Sequence, residues 1–328
     1  MRRRKLLSIG IDVSKDALVV AFRSADAEES CAFPNTQNGI TALTRSIGKQ
    51  RCPIVMESTG RYHILAAFLL MEKGHDVRVI NPIMAKRYIS ASVRKIKTDK
   101  SDASALAHMG QVQADLPAFH MSTLDIQIRQ KMGLIALLEK KLQALQRALK
   151  TYIEFQESMH IERSAAEQGI AEIVKTLQEQ KDALGEEVSQ LIAQDAEKRG
   201  VRDIACSIPG ISTLTGSLLA QMLSRACESS KQWIAFVGLD VSKNESGKTK
   251  RRERLSKRGN AYLRKRLYSA GWGAIMNYEQ FRTYYETLKE KGHSHRAAVV
   301  IVARKLLRIL FTLLKNNTSF SWDQCSFG

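Results

Sequence analysis

The sequence predicts a mixed α/β domain, then a helical coiled-coil middle, then a mainly α C-terminal domain. Three observations predict it. From Lys5 to about His120, short apolar runs alternate with helical stretches. From Ser122 to about Arg199 there is no proline, and apolar residues fall on a three-four alternation. From about Val201 onward the chain is helical in pattern and basic. The expected divisions are 1–120, 121–200 and 201–328.

Leu6 to Ile11 and Ala17 to Phe22 read as a strand pair around a polar turn. Ile54 to Met56 is a short strand. Tyr62 to Lys73 is a helix closed by Gly74, since glycine suits the position just past a helix end. Val77 to Ile80 is another strand, stopped by Asn81-Pro82. Strands first paired and then alternating with helices imply a mixed sheet with helices on its faces. In the middle, Ile128, Ile135, Leu138, Leu142, Leu145, Leu149 and Tyr152 form one seam, with Lys131 in its missing slot. Ile170, Val174, Leu177, Leu184, Val188 and Leu191 form another, interrupted at Lys181. Narrow seams with charged flanks favour an antiparallel pair or a dimer seam. Farther on, Pro209-Gly210 turns the chain between two apolar helical runs, from Ile204 to Ala220. That resembles a helix-hairpin-helix, whose turn offers backbone N–H groups to a DNA phosphate; an ordinary helical hairpin is the alternative.

The 328 residues suit two domains and a spacer, and 44% hydrophobic residues can fill sizeable cores. Lys and Arg total 51 against 33 Asp and Glu, a formal net charge of +18. That imbalance suits a polyanion, because each phosphate neutralised by Lys or Arg releases condensed counterions. The five cysteines make no CxxC pair and are odd in number, which argues for reduced thiols rather than a disulfide framework. Asp12 interrupts the apolar run after the basic start, unlike a signal peptide. Arg304, Lys305 and Arg308 interrupt the last apolar segment, Ala297 to Leu314, so it reads as a packed helix and not a membrane span. The expectation is a soluble, cytoplasmic protein with no membrane partner.

Four carboxylates stand out. Asp12 ends the first strand and Glu57 ends the strand Ile54–Met56, so both point off a sheet edge. Asp99 and Asp102 lie three apart at a helix start, on one face, with Thr98 as its cap; Ser58 or Thr59 would cap the helix after Glu57. Each acid alone has a bland explanation, as a solvated strand end or a dipole-favoured first helical turn. Together, amid Arg94, Lys95, Lys97 and Lys100, they are what an RNase H-like sheet needs to hold Mg²⁺ against a polyanion. Two such ions about 4 Å apart can activate a nucleophile and stabilise the leaving oxygen of a phosphodiester.

The densest charge runs from Lys248 to Arg266, with ten basic residues against one acid, Glu253. Lys250, Arg251, Arg252, Arg254, Lys257 and Arg258 are the expected nucleic-acid contacts there, together with Pro209 and Gly210 upstream. Ser256 stands among them. A serine so placed can attack phosphorus if nearby charge stabilises its alkoxide and the transition state. Equally, Ser256 or Asn260 could cap the helix Ala261–Tyr268, and on chemistry alone the cap is favoured.

Seven stretches carry a resemblance: IGIDVSK from Ile9, MESTGRY from Met56, INP from Ile80, KTDKSDA from Lys97, SIPGI from Ser207, FVGL from Phe236 and RLSKRGN from Arg254. In this order they resemble the DEDD transposases of insertion sequences and the related pilin-gene invertases, over nearly the whole chain. Ser212 departs from the pattern, standing where many relatives carry glycine. The resemblance implies a RuvC-like domain, a coiled-coil spacer and a C-terminal transposase domain. It implies that Asp12, Glu57, Asp99 and Asp102 bind Mg²⁺ and that Ser256 is a nucleophile, reversing the preference for a cap. It further implies DNA donor and target, a bridge RNA guide and a homo-oligomer, dimer or tetramer. The competing readings are a Holliday-junction nuclease using water, an actin-like sugar kinase and a non-catalytic DNA-binding protein. The kinase lacks a second Gly-rich phosphate loop and has no use for the charge; the binding protein leaves the carboxylates unexplained.

Overall fold

In the computed structural model, residues 5–90, 98–223, 229–242, 245–246, 249–250, 254–257 and 259–324 are described. The chain divides into two compact units, Met1–Ser122 and Thr123–Gly328.

The first unit runs β1 (Leu6–Val13), β2 (Ala17–Ser24), β3 (Glu28–Pro34), α1 (Gln37–Ile47), β4 (Ile54–Glu57), α2 (His63–Glu72), β5 (Val77–Ile80), α3 (Pro82–Ser90) and α4 (Asp99–Val112). Its sheet has the order β3-β2-β1-β4-β5. The first three strands form an antiparallel meander, while β4 and β5 are parallel to β1. Ile9, Ile11, Leu18, Val20, Ile54 and Met56 are buried in the core. Helix α4 crosses β1 at very short range. A Cβ on Gly10 would overlap the Ala103 carbonyl oxygen, and one on Gly110 would come 2.7 Å from Val55 Cγ2. The Ser8 hydroxyl donates to the Ala107 carbonyl at 2.6 Å and fixes the helix lengthwise.

Several expectations shift in detail. Strand β3 carries exposed side chains on both faces, Glu28 to Ala32, so it shows no period-two pattern. Helix α1 is capped by Thr36, whose hydroxyl accepts from the Gly39 N–H. Neither Ser58 nor Thr59 caps α2: Tyr62 precedes it with helical backbone and no side-chain cap. Gly74 does close α2, with φ +78°. Pro82 starts α3 rather than merely stopping β5.

The second unit runs α5 (Thr123–Ser158), α6 (Ala165–Ala193), α7 (Ala196–Ser207), α8 (Thr213–Leu223), α9 (Ser230–Val237), β6 (Val241–Ser242), β7 (Glu245–Ser246), β8 (Thr249–Lys250), β9 (Arg254–Leu255), α10 (Ala261–Asn277), α11 (Glu279–Glu290) and α12 (His295–Asn316). Helices α5 and α6 pack antiparallel within the chain. Lys131 near the start of α5 pairs with Glu187 near the end of α6, and Tyr152 near the end of α5 donates to Glu167 Oε1 at 3.0 Å. Lys131 interrupts the apolar seam because it forms that cross-helix ion pair. Ile128, Met132, Ile135, Val188 and Ile192 lie in one hydrophobic cluster with residues of α8 to α12, so this helical pair is not set apart from the C-terminal helices. Apolar side chains remain exposed along the pair: Leu134, Leu137, Phe155, Met159 and Ile173 are each at least 45% exposed.

Basic residues from the dense stretch also build this unit. Buried Glu139 of α5 accepts from Arg266 at 3.0 Å, Lys265 at 3.3 Å and the Tyr262 hydroxyl at 3.1 Å, all on α10. Burial and the Glu139 carboxylate beside it push the Tyr262 phenol upward. Arg264 donates to the carbonyls of Val237 and Gly259, each at 3.0 Å. Three of the ten basic residues therefore hold the fold.

The Pro209-Gly210 turn is likewise structural. Pro209 is buried, and Gly210 (φ +87°) sits where a Cβ would come 2.5 Å from the Ala270 carbonyl oxygen. Ser212 follows, its hydroxyl accepting from Thr215 N–H at 3.4 Å and from Arg266 at 2.9 Å. The helical hairpin α7–α8 thus turns its Pro-Gly corner against α10. Among the described residues Cys31, Cys52 and Cys206 are free thiols, and burial with Asp76 nearby pushes Cys52 up to about 11. No helix among them is long and apolar enough to cross a membrane.

Candidate active-site residues

In the first unit the sheet register brings two of the four acids together. Strands β1 and β4 are parallel neighbours with Ile11 opposite Met56. The next residues, Asp12 and Glu57, therefore emerge at the same level of the same sheet end. The other two come from the start of α4. Thr98 caps it, accepting from Ser101 N–H at 3.2 Å, while Ser101 Oγ accepts from Thr98 N–H at 2.9 Å. This fixes the first helical turn that carries Asp99 and Asp102. The close packing of α4 on Gly10 delivers that turn to the Asp12 end of β1.

The electrostatics record the convergence. Burial raises the Asp12 carboxyl above the usual carboxylate range, and the charges of Asp99, Asp102 and Glu57 raise it further; a hydrogen bond from the Val13 backbone opposes them. Asp102 Oδ1 is buried and has no hydrogen-bond partner among the described residues. Among those residues no three acidic, His or Cys side chains are set to hold an ion as they stand. The chemistry of the set nevertheless fits a hard divalent cation: carboxylate oxygen donors from three elements, mutual repulsion centred on Asp12, and an orphaned carboxylate oxygen on Asp102. Lys100 is exposed at the start of α4, whereas Arg94, Lys95 and Lys97 lie outside the described residues.

In the second unit Ser256 is not a helix cap. Asn260 takes that role, its side-chain oxygen accepting from Leu263 N–H at 3.0 Å. Ser256 sits four residues earlier, where β9 ends after pairing with β6. Its backbone N–H donates to the Asp240 carbonyl at 2.9 Å, and its hydroxyl donates to the Asp240 carboxylate. Lys257 next to it is held at φ +53°, a left-handed conformation unusual for a residue with a side chain. Its N–H reaches the Gly238 carbonyl at 3.3 Å. Gly259 lies so close to α9 that a Cβ would overlap the Phe236 carbonyl oxygen. The FVGL and RLSKRGN stretches are thus one structural unit, a strained loop pinned on the C-terminal end of α9.

Of the remaining expected contacts, Lys257 is exposed. Lys250 and Arg254 have described backbone only, in β8 and β9. Arg251, Arg252 and Arg258 lie outside the described residues. Asp240 escaped the sequence reading although it directly follows FVGL; a lone Asp after a helix end carries no local signal.

Residues 9–154 match a family described as "Transposase", of the IS110 DEDD type, and residues 202–286 match "Transposase IS116/IS110/IS902 family". The chain is similar to a pilin gene-inverting protein of Moraxella bovis, 25% identical over 95% of this chain and 97% of that protein. It is similar to a probable family 20 transposase of Pseudomonas aeruginosa, 24% identical over 96% and 98%. A transposase for insertion sequence element IS1328 of Yersinia enterocolitica is 26% identical over 82% and 86%. Both matched regions fall in order along one chain, and the DEDD-type domain carries the four acids gathered at the sheet end. The chain belongs to the IS116/IS110/IS902 family of transposases, enzymes that cleave and rejoin DNA.

Proposed function

We propose that this transposase recombines DNA through a phosphoserine intermediate at Ser256, with Mg²⁺ held by Asp12, Glu57, Asp99 and Asp102 of a RuvC-like domain. The observation that carries the reading is the convergence of four carboxylates from β1, β4 and α4, with Asp102 Oδ1 buried and unpartnered. Bound Mg²⁺ would polarise the phosphodiester and stabilise the charge of attacking and leaving oxygens. The protein's own part is positional: the register of β1 and β4 sets two donors, and the capped first turn of α4 sets the others. Ser256 supplies the nucleophile. Because Asn260 caps α10, the Ser256 hydroxyl is not committed to a helix end. A covalent phosphoserine conserves the phosphodiester bond energy, so strands can be rejoined without ATP.

DNA binding rests on the +18 charge and the basic stretch at Lys250, Arg251, Arg252, Arg254, Lys257 and Arg258. A bridge RNA as guide rests on the family resemblance, and the same charge suits it. Self-association, as a dimer or tetramer, is supported by the apolar side chains left exposed on α5 and α6.

The test is to purify the chain with its associated nucleic acid, sequence that nucleic acid, and incubate the complex with Mg²⁺ and a plasmid carrying the coding sequence with its flanking DNA. A protein–DNA adduct on the Ser256 peptide, absent in Ser256→Ala and without Mg²⁺, supports the reading. Strand cleavage with no adduct would favour a nuclease using water instead.

A further inference from the structure

The Ser256 hydroxyl donates to the Asp240 carboxylate, although neither residue is needed to cap a helix or close the hairpin. Backbone hydrogen bonds already hold the two segments together, from Ser256 N–H to the Asp240 carbonyl and across the Val241–Leu255 pair. Helix α12 packs against α9 and brings the Arg304 guanidinium within electrostatic reach of Asp240, with Arg308 one turn further on. Arg304 is half-buried, and its Nε is buried with no hydrogen-bond partner among the described residues. Burial and the neighbouring Arg308 charge both work against the Arg304 cation, while Asp240 supports it. The Arg304 cation, with a buried Nε that no described group accepts from, is suited to receive a phosphate oxygen.

We infer that Asp240, Ser256 and Arg304 form a phosphodiester-activating site, in which Asp240 takes the serine proton and Arg304 receives a non-bridging phosphate oxygen. This deepens the phosphoserine reading and rests on it. In the forward step the Asp240 carboxylate removes the Oγ proton, and an Oγ lone pair forms the new O–P bond. The bond from phosphorus to one sugar oxygen breaks, and that oxygen leaves with the electron pair and takes a proton from water. Asp240 then returns its proton to solvent. Rejoining is the reverse: a sugar hydroxyl attacks the phosphoserine, and Ser256 leaves and is reprotonated. Lys257, held at positive φ, directs the loop so that Ser256 faces Asp240.

The experiment measures adduct formation on the Ser256 peptide, using the nucleic-acid-loaded protein, Mg²⁺ and the plasmid described above. DNA affinity and melting temperature are measured in parallel. Asp240→Asn should slow adduct formation about 100-fold or more while binding DNA at least as tightly, because a general base is lost along with a negative charge. Asp240→Glu should recover part of the rate, which a purely structural role would not give. Arg304→Met should also lower the rate, yet melt no earlier than wild type, because it removes a half-buried cation whose Nε has no partner. Wild-type adduct formation at an unchanged rate in Asp240→Asn, or in Arg304→Met, would overturn the assignment of that residue. A wild-type protein that forms no Ser256 adduct at all would instead remove the phosphoserine reading, and this inference with it.

Discussion

Gly10 and Ala103 are in backbone contact: the strand has no room for a single methyl group beneath the helix that carries Asp99 and Asp102. The position of the helical acid pair is therefore set by a residue with no chemistry of its own. Gly10→Ala should destabilise the first unit by about 1–3 kcal/mol, the usual cost of overpacking, and weaken Mg²⁺ binding by displacing α4. Thermal melts with and without Mg²⁺ check this. An unchanged melt with unchanged metal-induced stabilisation would show that α4 can shift without consequence.

Asp12→Asn and Asp102→Asn should each abolish recombination while leaving nucleic-acid binding intact. In metal-free buffer Asp12→Asn should melt no lower than wild type, because three carboxylates repel the charge it removes. A substantial drop in the metal-free melting temperature would mean that these acids stabilise the fold rather than await a cation.

Glu139 anchors α10 to α5 through Arg266, Lys265 and Tyr262. Glu139→Gln should destabilise the second unit by about 1–3 kcal/mol, because it weakens charge-assisted hydrogen bonds to cations that keep part of their solvent. Denaturant titration measures the loss, and a midpoint within error of wild type would count against the network.

The helical pair separates two effects by position. Leu142 is 3% exposed, so Leu142→Glu should lower stability. Leu137 is 52% exposed and Ile173 is 59% exposed, so Leu137→Glu with Ile173→Glu should spare the fold and reduce the particle mass in light scattering. Unchanged mass would assign the exposed face to something other than self-association.

Replacing Arg251 and Arg252 with alanine should flatten the slope of log affinity against log salt, by about one unit for each phosphate that is no longer neutralised. Arg264 donates to two backbone carbonyls, so Arg264→Ala should act mainly on stability. A wild-type salt slope in the double mutant would move the nucleic acid elsewhere on the surface.

The sequence by itself determined the parts whose signal is local. Strand β1 with Asp12 near its end, the short strands β4 and β5, the capped start of α4 and the long helices α5 and α6 follow from apolar period, cap residues and glycine or proline stops. The four acids were legible because strand ends and a helical three-residue spacing can be read within a few positions. Edge strand β3 was not legible, since its exposed, charged side chains show no buried face to generate alternation. What only the tertiary structure decided was pairing across distance. Whether Ser256 or Asn260 caps α10 depended on where the loop is pinned against α9, and Gly259 settles that through contact with Phe236. Arg266 reads as one more cation of the basic stretch, and only folding places Glu139, 127 positions away, beside it. Asp240 and Arg304 had no pattern to betray them, because a hydrogen bond or a charge field depends on separation in space, and only folding sets Asp240 against Ser256 and within electrostatic reach of Arg304.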